Sequence, residues 1–187
     1  MSTHDIAIER LHALDEAQCL GLARVLVECV EAGASVGFMS PLGEARAVDF
    51  WQRVGRKVAR GERALFVAQR DGEILGTVQL LLAQPDNQPH RADVAKMLVH
   101  RRARRRGVAQ QLMAAADAVA RDEGKTVLVL DTVTGGDAER LYERNGWRVV
   151  GDVPDFALLP DGGYCRTRFY SLHLDPARSR RPPATTR

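Results

Sequence analysis

A chain of 187 residues and 20.6 kDa, 45% hydrophobic and 27% charged, can bury one good core and is short for two ordinary domains. The formal net charge is +3, but Asp175 to Arg187 holds four arginines against one aspartate, so residues 1–174 are neutral overall. A neutral body lacks the broad positive field that draws nucleic acid, so composition does not point to a polyanion partner.

Cys19, Cys29 and Cys165 are an odd number without CxxC spacing, which suggests neither a disulfide framework nor a zinc clip. Reduced thiols fit a cytoplasmic protein. His4, Asp5, Glu9, Asp15 and Glu16 interrupt the first thirty residues, so no signal core is expected there. No apolar run approaches the roughly 20 residues that span a bilayer.

In chain order, Asp5 to Leu11 alternates as a short strand. Asp15 offers an N-cap with Gln18 three residues on, and Leu22, Val25, Leu26, Cys29 and Val30 recur at helical spacing until Gly33. Ser40-Pro41 reads as the start of a second helix, with Val48, Trp51, Val54 and Val58 as its apolar stripe. Ala64 to Gln69 and Ile74 to Leu82 read as a hairpin through Asp71-Gly72. After a polar loop, Gln84 to Arg91, a third strand over Ala92 to His100 is expected to pair with the second hairpin strand. Gly107 to Glu123 is a helix burying Val108, Leu112, Ala116, Val119 and Ala120. The apolar run Thr126 to Thr132 predicts a central strand covered on both faces. A short helix over Asp137 to Asn145 follows, then strands over Trp147 to Val150 and Thr167 to Leu174 around a Pro/Gly/Asp loop. Residues 175–187, rich in Arg, Pro, Ser and Thr, are expected to be a disordered tail beside a domain of residues 1–174. The order β-α-α-β-β-β-α-β-α-β-β predicts an α/β (α+β mixed) fold, a mixed sheet with helices covering its faces.

The most informative stretch is Val99-His100-Arg101-Arg102-Ala103-Arg104-Arg105-Arg106-Gly107-Val108-Ala109, where a strand ends, a basic turn follows and a helix opens on small residues. The first N–H groups of a helix have no internal partner and carry the positive end of its dipole, so a diphosphate can take them as donors. Gly107 and Ala109 permit close approach, and Arg104, Arg105 or Arg106 can add contacts to outlying phosphates.

Arg104 to Ala109 resembles the acyl-CoA signature Arg/Gln-x-x-Gly-x-Gly/Ala of the GNAT superfamily of N-acetyltransferases. Gly135 to Trp147, with Tyr142, resembles its later Ala-x-x-x-Tyr-x-x-x-Gly-aromatic element. The sequence departs from the usual pattern at Arg101, Arg105 and Gly135, where proline, glycine and asparagine are common. Residues 5–174 further resemble the tabtoxin-resistance acetyltransferase branch, through Gly33 to Met39, Arg91 to Val99 and Leu130-Asp131-Thr132. The resemblance implies a mostly antiparallel sheet of six to seven strands, acetyl-CoA as cosubstrate without a metal, and a small amine as acceptor, such as a toxin resembling an amino acid. It also admits a homodimer.

By the same resemblance, backbone groups of Met97 and Val99 pair with the pantetheine arm, Val108 lies in the diphosphate turn, and Tyr142 protonates the departing thiolate. A phenol near pKa 10 and a thiol near 8.5 are close enough to exchange a proton. Tyr142 packing beside Ala138 and Leu141 is the plainer reading. Asp93 and Asp131 are candidates for binding the substrate ammonium or accepting its proton, or else for local capping and pairing with an arginine. Loops near Gly33 to Met39, Gln84 to Arg91 and Asp152 to Tyr164 are expected to build the acceptor pocket.

Rival readings remain at this level. Gly33-Ala34-Ser35-Val36-Gly37 matches a serine nucleophile elbow, but a helix precedes it where a strand is required. Gly124-Lys125-Thr126 follows a helix and does not open one, which excludes a phosphate-binding P-loop. The histidines form no HExxH pair. His100 is either a base or a solvated strand end. Transfer to a peptide or protein amine, an acyl-CoA sensor without turnover, and a nucleic-acid module stay open as alternatives.

Overall fold

The computed structural model describes residues 6–174; Asp5 and the tail from Asp175 lie outside them. Strand β1 (Ala7–Leu11) is followed by helices α1 (Glu16–Glu31) and α2 (Glu44–Ala59), and then by strands β2 (Arg63–Arg70), β3 (Glu73–Leu81) and β4 (Arg91–Val99). A 3-10 turn over Arg101–Ala103 leads to α3 (Val108–Asp122), β5 (Val127–Val133), α4 (Asp137–Arg144), β6 (Arg148–Leu158) and β7 (Tyr164–His173). All seven strands join one sheet in the order β1-β2-β3-β4-β5-β7-β6. Every neighbouring pair is antiparallel except β4 with β5.

Local chemistry explains most of these elements. The Asp15 carboxylate accepts the Gln18 N–H at 2.7 Å while the Gln18 side chain accepts the Asp15 N–H, the reciprocal box that starts α1. Asp71 and Gly72 both take positive φ, 53° and 78°, as a two-residue turn matching strand twist requires.

Period-2 alternation divides the core between the two faces of the sheet. Leu65 and Val67 of β2 pack with Leu22, Leu26, Trp51 and Val54 of α1 and α2. Ala64, Phe66 and Ala68 pack with Val108, Leu112 and Ala116 of α3. The three cysteines are buried and free, and no helix among the described residues is long and apolar enough to cross a membrane.

Four expectations are corrected. Helix α2 begins at Glu44 with Gly43 as its N-cap, three residues after Ser40-Pro41, because the extended segment before it sinks Leu42 into the core. Strand β5 is central, but only Leu128 and Leu130 are buried, while Asp131 is open; its second face lines a recess and is not covered by a helix. Strand β6 continues through Gly151, Pro154 and Asp155 to Leu158, and β7 begins at Tyr164. Most of the expected loop from Asp152 to Tyr164 is therefore a strand. It lies at the sheet edge with register shifts at 149–151 and 153–157, where a proline costs no ladder bond. Finally, Val119 lies outside the buried set of α3, and Met113 takes a place in it, because the stripe turns slightly along the helix.

The feature that positions a site is the contact between β4 and β5. Only Arg91 with Val127, Ala92 with Leu128 and Asp93 with Val129 are in register. Beyond them the two strands continue to Val99 and Val133 without pairing each other. A bulge in β4 accompanies this divergence. Lys96 takes φ 53°, and the β3–β4 register slips between Thr77/Leu98 and Gln79/Ala95. Bulges bend a strand and re-aim its side chains, and here the result is an open edge in mid-sheet.

Candidate active site

The turn after β4 has the form of an anion cradle. Arg105 and Gly107 take left-handed φ values of 60° and 76°, and such residues turn successive N–H groups to one side. Gly107 is the N-cap of α3, which has no side-chain capping hydrogen bond. The Gln111 N–H bonded to the Gly107 carbonyl at 3.1 Å closes its first turn. The amides of Val108 and Ala109 thus face outward at the positive end of a 15-residue helix. A side chain on Gly107 would meet only the Gln111 amide nitrogen, at 3.9 Å, so the cradle is open space.

Among the three arginines, Arg104 is already engaged. Its Nε donates to the Val99 carbonyl at 2.9 Å, and its guanidinium lies 3.8 Å from Glu28. Arg105 and Arg106 are exposed and, among the described residues, make no ion pair, which leaves them free for outlying phosphates. His100 is held as well: its Nδ1 accepts the Arg102 N–H at 3.2 Å, so it caps the basic turn.

The His100 N–H donates to the Leu75 carbonyl of β3 at 2.8 Å. By alternation the amide of Val99, and that of Met97 two residues earlier, face the opposite edge, toward the diverging β5. The Val99 carbonyl is taken by Arg104, but its N–H remains. An extended ligand arm can add to this edge as a strand would. Cys29 lies beneath it, its Sγ 3.7 Å from the Val99 carbonyl. Burial and the adjacent Glu28 push that thiol up to about 11, so it stays protonated and is no nucleophile.

Across the gap stand Asp131 and Tyr142. Asp131 is on the face of β5 opposite Leu128 and Leu130, and desolvation in the recess raises its carboxyl above the ordinary range, partly offset by Lys96. Tyr142 is 5% exposed, with ring centroids of Trp147 and Tyr170 at 6.1 and 5.8 Å. Burial, then the charge of Asp131, pushes its phenol up to about 12. The tyrosine thus packs in the core with Ala138 and Leu141, and its hydroxyl makes no hydrogen bond among the described residues. Arg168 fixes the surroundings: it forks onto Asp152 at 2.6 and 2.9 Å and lies 3.2 Å from Glu139 of α4.

Asp93 is placed differently. It lies in the paired part of β4 and is held by Arg91 at 2.6 Å and by the Gln84 amide at 3.3 Å. Of the three loops expected around a pocket, two meet. The Ser40 N–H donates to the Pro160 carbonyl at 2.8 Å and the Ser35 hydroxyl to the Leu158 carbonyl at 3.3 Å. The nucleophile-elbow serine is therefore a loop contact. The third loop is pinned at the closed end of the β4–β5 pair, where Lys125 donates to the carbonyls of Leu82 and Pro89 at 3.1 and 2.8 Å.

One residue of this recess was not singled out by the sequence: Lys96, which the bulge directs toward Gly37 and the Phe50 ring, with Nζ 5.8 Å from the ring centroid. Its signal was a lone charge in the run Val94-Ala95-Lys96-Met97-Leu98-Val99.

The sequence and the fold are similar to those of known proteins. Residues 40–147 match the model of the acetyltransferase (GNAT) family. An uncharacterized N-acetyltransferase from the hisH-hisA intergenic region of Azospirillum brasilense is 32% identical over 129 residues, covering 68% of this chain and 75% of that protein. A GCN5-related N-acetyltransferase from Kribbella flavida superposes with TM-score 0.73 at 25% identity over 90% of this chain and 98% of its own. The Salmonella typhimurium protein yncA, described as an acetyltransferase and solved with its cofactor acetyl-CoA, superposes with TM-score 0.74 at 18% identity, over 97% and 99% of the two chains. The chain therefore belongs to the GNAT family and is an N-acetyltransferase.

Proposed function

We propose that the protein transfers the acetyl group of acetyl-CoA directly to the amine of a small, amino-acid-like acceptor, of the kind the tabtoxin-resistance branch acetylates. The observation that carries this reading is the divergence of β4 from β5. To the gap it leaves we assign an uncapped helix N-terminus, the open amides of Met97 and Val99, Asp131 and Tyr142. The residues suit acetyl-CoA: anion donors at Gly107, Val108 and Ala109 for the diphosphate, a strand edge for the pantetheine, and a phenol for the sulfur. That yncA, a protein of the same fold, was solved with acetyl-CoA supports acetyl-CoA as the cosubstrate.

The chemistry follows from these parts. The acceptor ammonium binds at Asp131 and gives up a proton to it, directly or through water. The neutral nitrogen attacks the thioester carbonyl, whose oxygen takes the Met97 N–H as donor as it becomes an oxyanion. The C–S bond then breaks, and the electron pair leaves with sulfur, which Tyr142 meets with its O–H. The attacking nitrogen sheds its second proton to water as the amide forms, so amide, free thiol and one solvent proton result, and the proton on Asp131 returns to the tyrosine through solvent. Asp131 suits this role better than Asp93, which Arg91 and Gln84 already hold. Desolvation brings Asp131 closer to the basicity that the step needs. Because Cys29 is kept protonated, no acyl-cysteine intermediate is invoked.

Asp131→Asn is expected to lower kcat/KM by roughly 10²-fold at neutral pH and to lose much less at alkaline pH, where the free amine needs no base. Asp93→Asn stays within a few-fold of the parent. Full pH–rate profiles check this; an equal loss at every pH would remove Asp131 from the proton path. The function itself is tested by mixing acetyl-CoA with a panel of small amines and following free thiol. Amine-dependent thiol release is expected. Release independent of amine, or acetyl-CoA binding without any release, would contradict the reading.

A further inference from the structure

Lys96 carries a charge that the steps above do not use. Its ammonium lies in the recess on the α1–α2 side of the sheet, which it shares with Arg63 of β2 and Asp131 of β5. Removing an ammonium from water is costly unless a partner replaces the lost hydration. Among the described residues no carboxylate oxygen lies within 4.0 Å of Lys96 Nζ and no acceptor is hydrogen-bonded to it. Phe50 offers only a ring face at 5.8 Å. Arg63, whose guanidinium donates to Gln79 at 2.7 Å, adds a second positive charge near Lys96. Burial and that arginine together push the Lys96 ammonium below its ordinary range, with the charge of Asp131 opposing them in part.

A desolvated cation with no carboxylate within ion-pair distance, facing the longer-range charge of Asp131 across the gap, forms with it a site with two opposite poles. Resting on the acetyltransferase reading above, we propose that Lys96 binds the carboxylate of the acceptor while Asp131 binds its ammonium, so that the acceptor is a zwitterion read at both ends. The bulge is what makes this geometry. In regular β4 alternation residue 96 would follow Ala92 and Val94 onto the α3 face, whereas the left-handed φ of 53° delivers it to the opposite face, the one that also carries Asp131. Phe50, with Phe38 packed edge-on at 5.2 Å, then forms an apolar wall for the acceptor's own side chain. Lys96 is a specificity-determining residue in this scheme, and neither bond making nor bond breaking passes through it.

The test pairs amino acids with their decarboxylated amines: L-phenylalanine with phenethylamine, L-leucine with isopentylamine, L-lysine with cadaverine. Each is assayed for thiol release from acetyl-CoA by the full chain, Lys96→Met and Lys96→Arg. The parent is expected to favour the amino acid of the best pair by about 10- to 100-fold in kcat/KM. Lys96→Met should lose that preference through KM while keeping the rate on the amine and the KM for acetyl-CoA, and Lys96→Arg should restore most of it. A parent indifferent to the carboxylate, or a Lys96→Met variant that loses kcat equally on both members, would overturn the assignment and leave the acetyltransferase reading intact. Thiol release with no amine of any kind would overturn both.

Discussion

Tyr142→Phe is expected to cut turnover by roughly 10²- to 10⁴-fold while leaving the affinity for acetyl-CoA within a few-fold of the parent. The ring is buried between Trp147 and Tyr170, and phenylalanine preserves that packing, so the loss reports on one oxygen. The elevated phenol makes the step more demanding than acidities of 10 and 8.5 suggest. With the phenol near 12, transfer to a free thiolate near 8.5 is uphill by about 5 kcal/mol. Part of that elevation comes from the negative charge of Asp131. Once Asp131 has taken the amine proton, that repulsion is gone and the phenol becomes the stronger acid. The two proton transfers therefore assist each other, and Tyr142 acts on sulfur late, when charge has built there. Steady-state kinetics with equilibrium binding of acetyl-CoA checks this, and unchanged turnover would remove Tyr142 from the mechanism.

Ala109→Glu is expected to weaken acetyl-CoA binding by on the order of 10²- to 10³-fold, since two like charges about 4 Å apart near a protein surface repel by roughly 4 kcal/mol. Ala109 is the second residue of α3, after Val108. A carboxylate in the first turn of a helix is favourable for the helix itself, by about 0.3–1 kcal/mol. Thermal unfolding should therefore be unchanged or raised while affinity falls. Gly107→Leu would also block the cradle, but it forces leucine into φ 76° and mixes strain with occlusion. Calorimetric titration with acetyl-CoA, beside a melting curve, separates the two effects. Normal affinity in a folded Ala109→Glu protein would place the diphosphate somewhere other than this turn.

Much of this architecture was legible in the chain because local signals agreed with tertiary ones. Asp15 with Gln18, Asp71-Gly72 and the small residues after the arginine run each specify a backbone conformation without knowledge of the rest of the fold. The misread segments are those where the neighbouring structure decides. The length of β6 was hidden by Gly151, Pro154 and Asp155, residues tolerated only because the strand is an edge. The start of α2 was set by where Leu42 had to be buried, and not by the serine and proline that imitate a cap. The apolar run of β5 gave no hint that one of its faces opens on a recess.

The site divides in the same way. The cradle at Gly107 could be read because backbone chemistry and composition coincide there, and Tyr142 because its helix carries a motif. The surroundings of Asp93 and Asp131 could not be told apart until the register showed one strand pair closing over Asp93 and opening beside Asp131. Lys96 was invisible for a related reason: a bulge reverses the face a residue presents, and no periodicity in Val94 to Val99 records the reversal. Arg104, one of the three arginines offered to phosphate, donates its Nε to the Val99 carbonyl, a contact that no spacing rule anticipates.

A crystal structure of the complex with coenzyme A tests the whole scheme in one step. The diphosphate is expected on the amides of Gly107, Val108 and Ala109, the pantetheine arm along the free edge of β4, and the sulfur within hydrogen-bond reach of the Tyr142 hydroxyl. A diphosphate bound away from that helix N-terminus, or a sulfur beyond reach of the phenol, would contradict it.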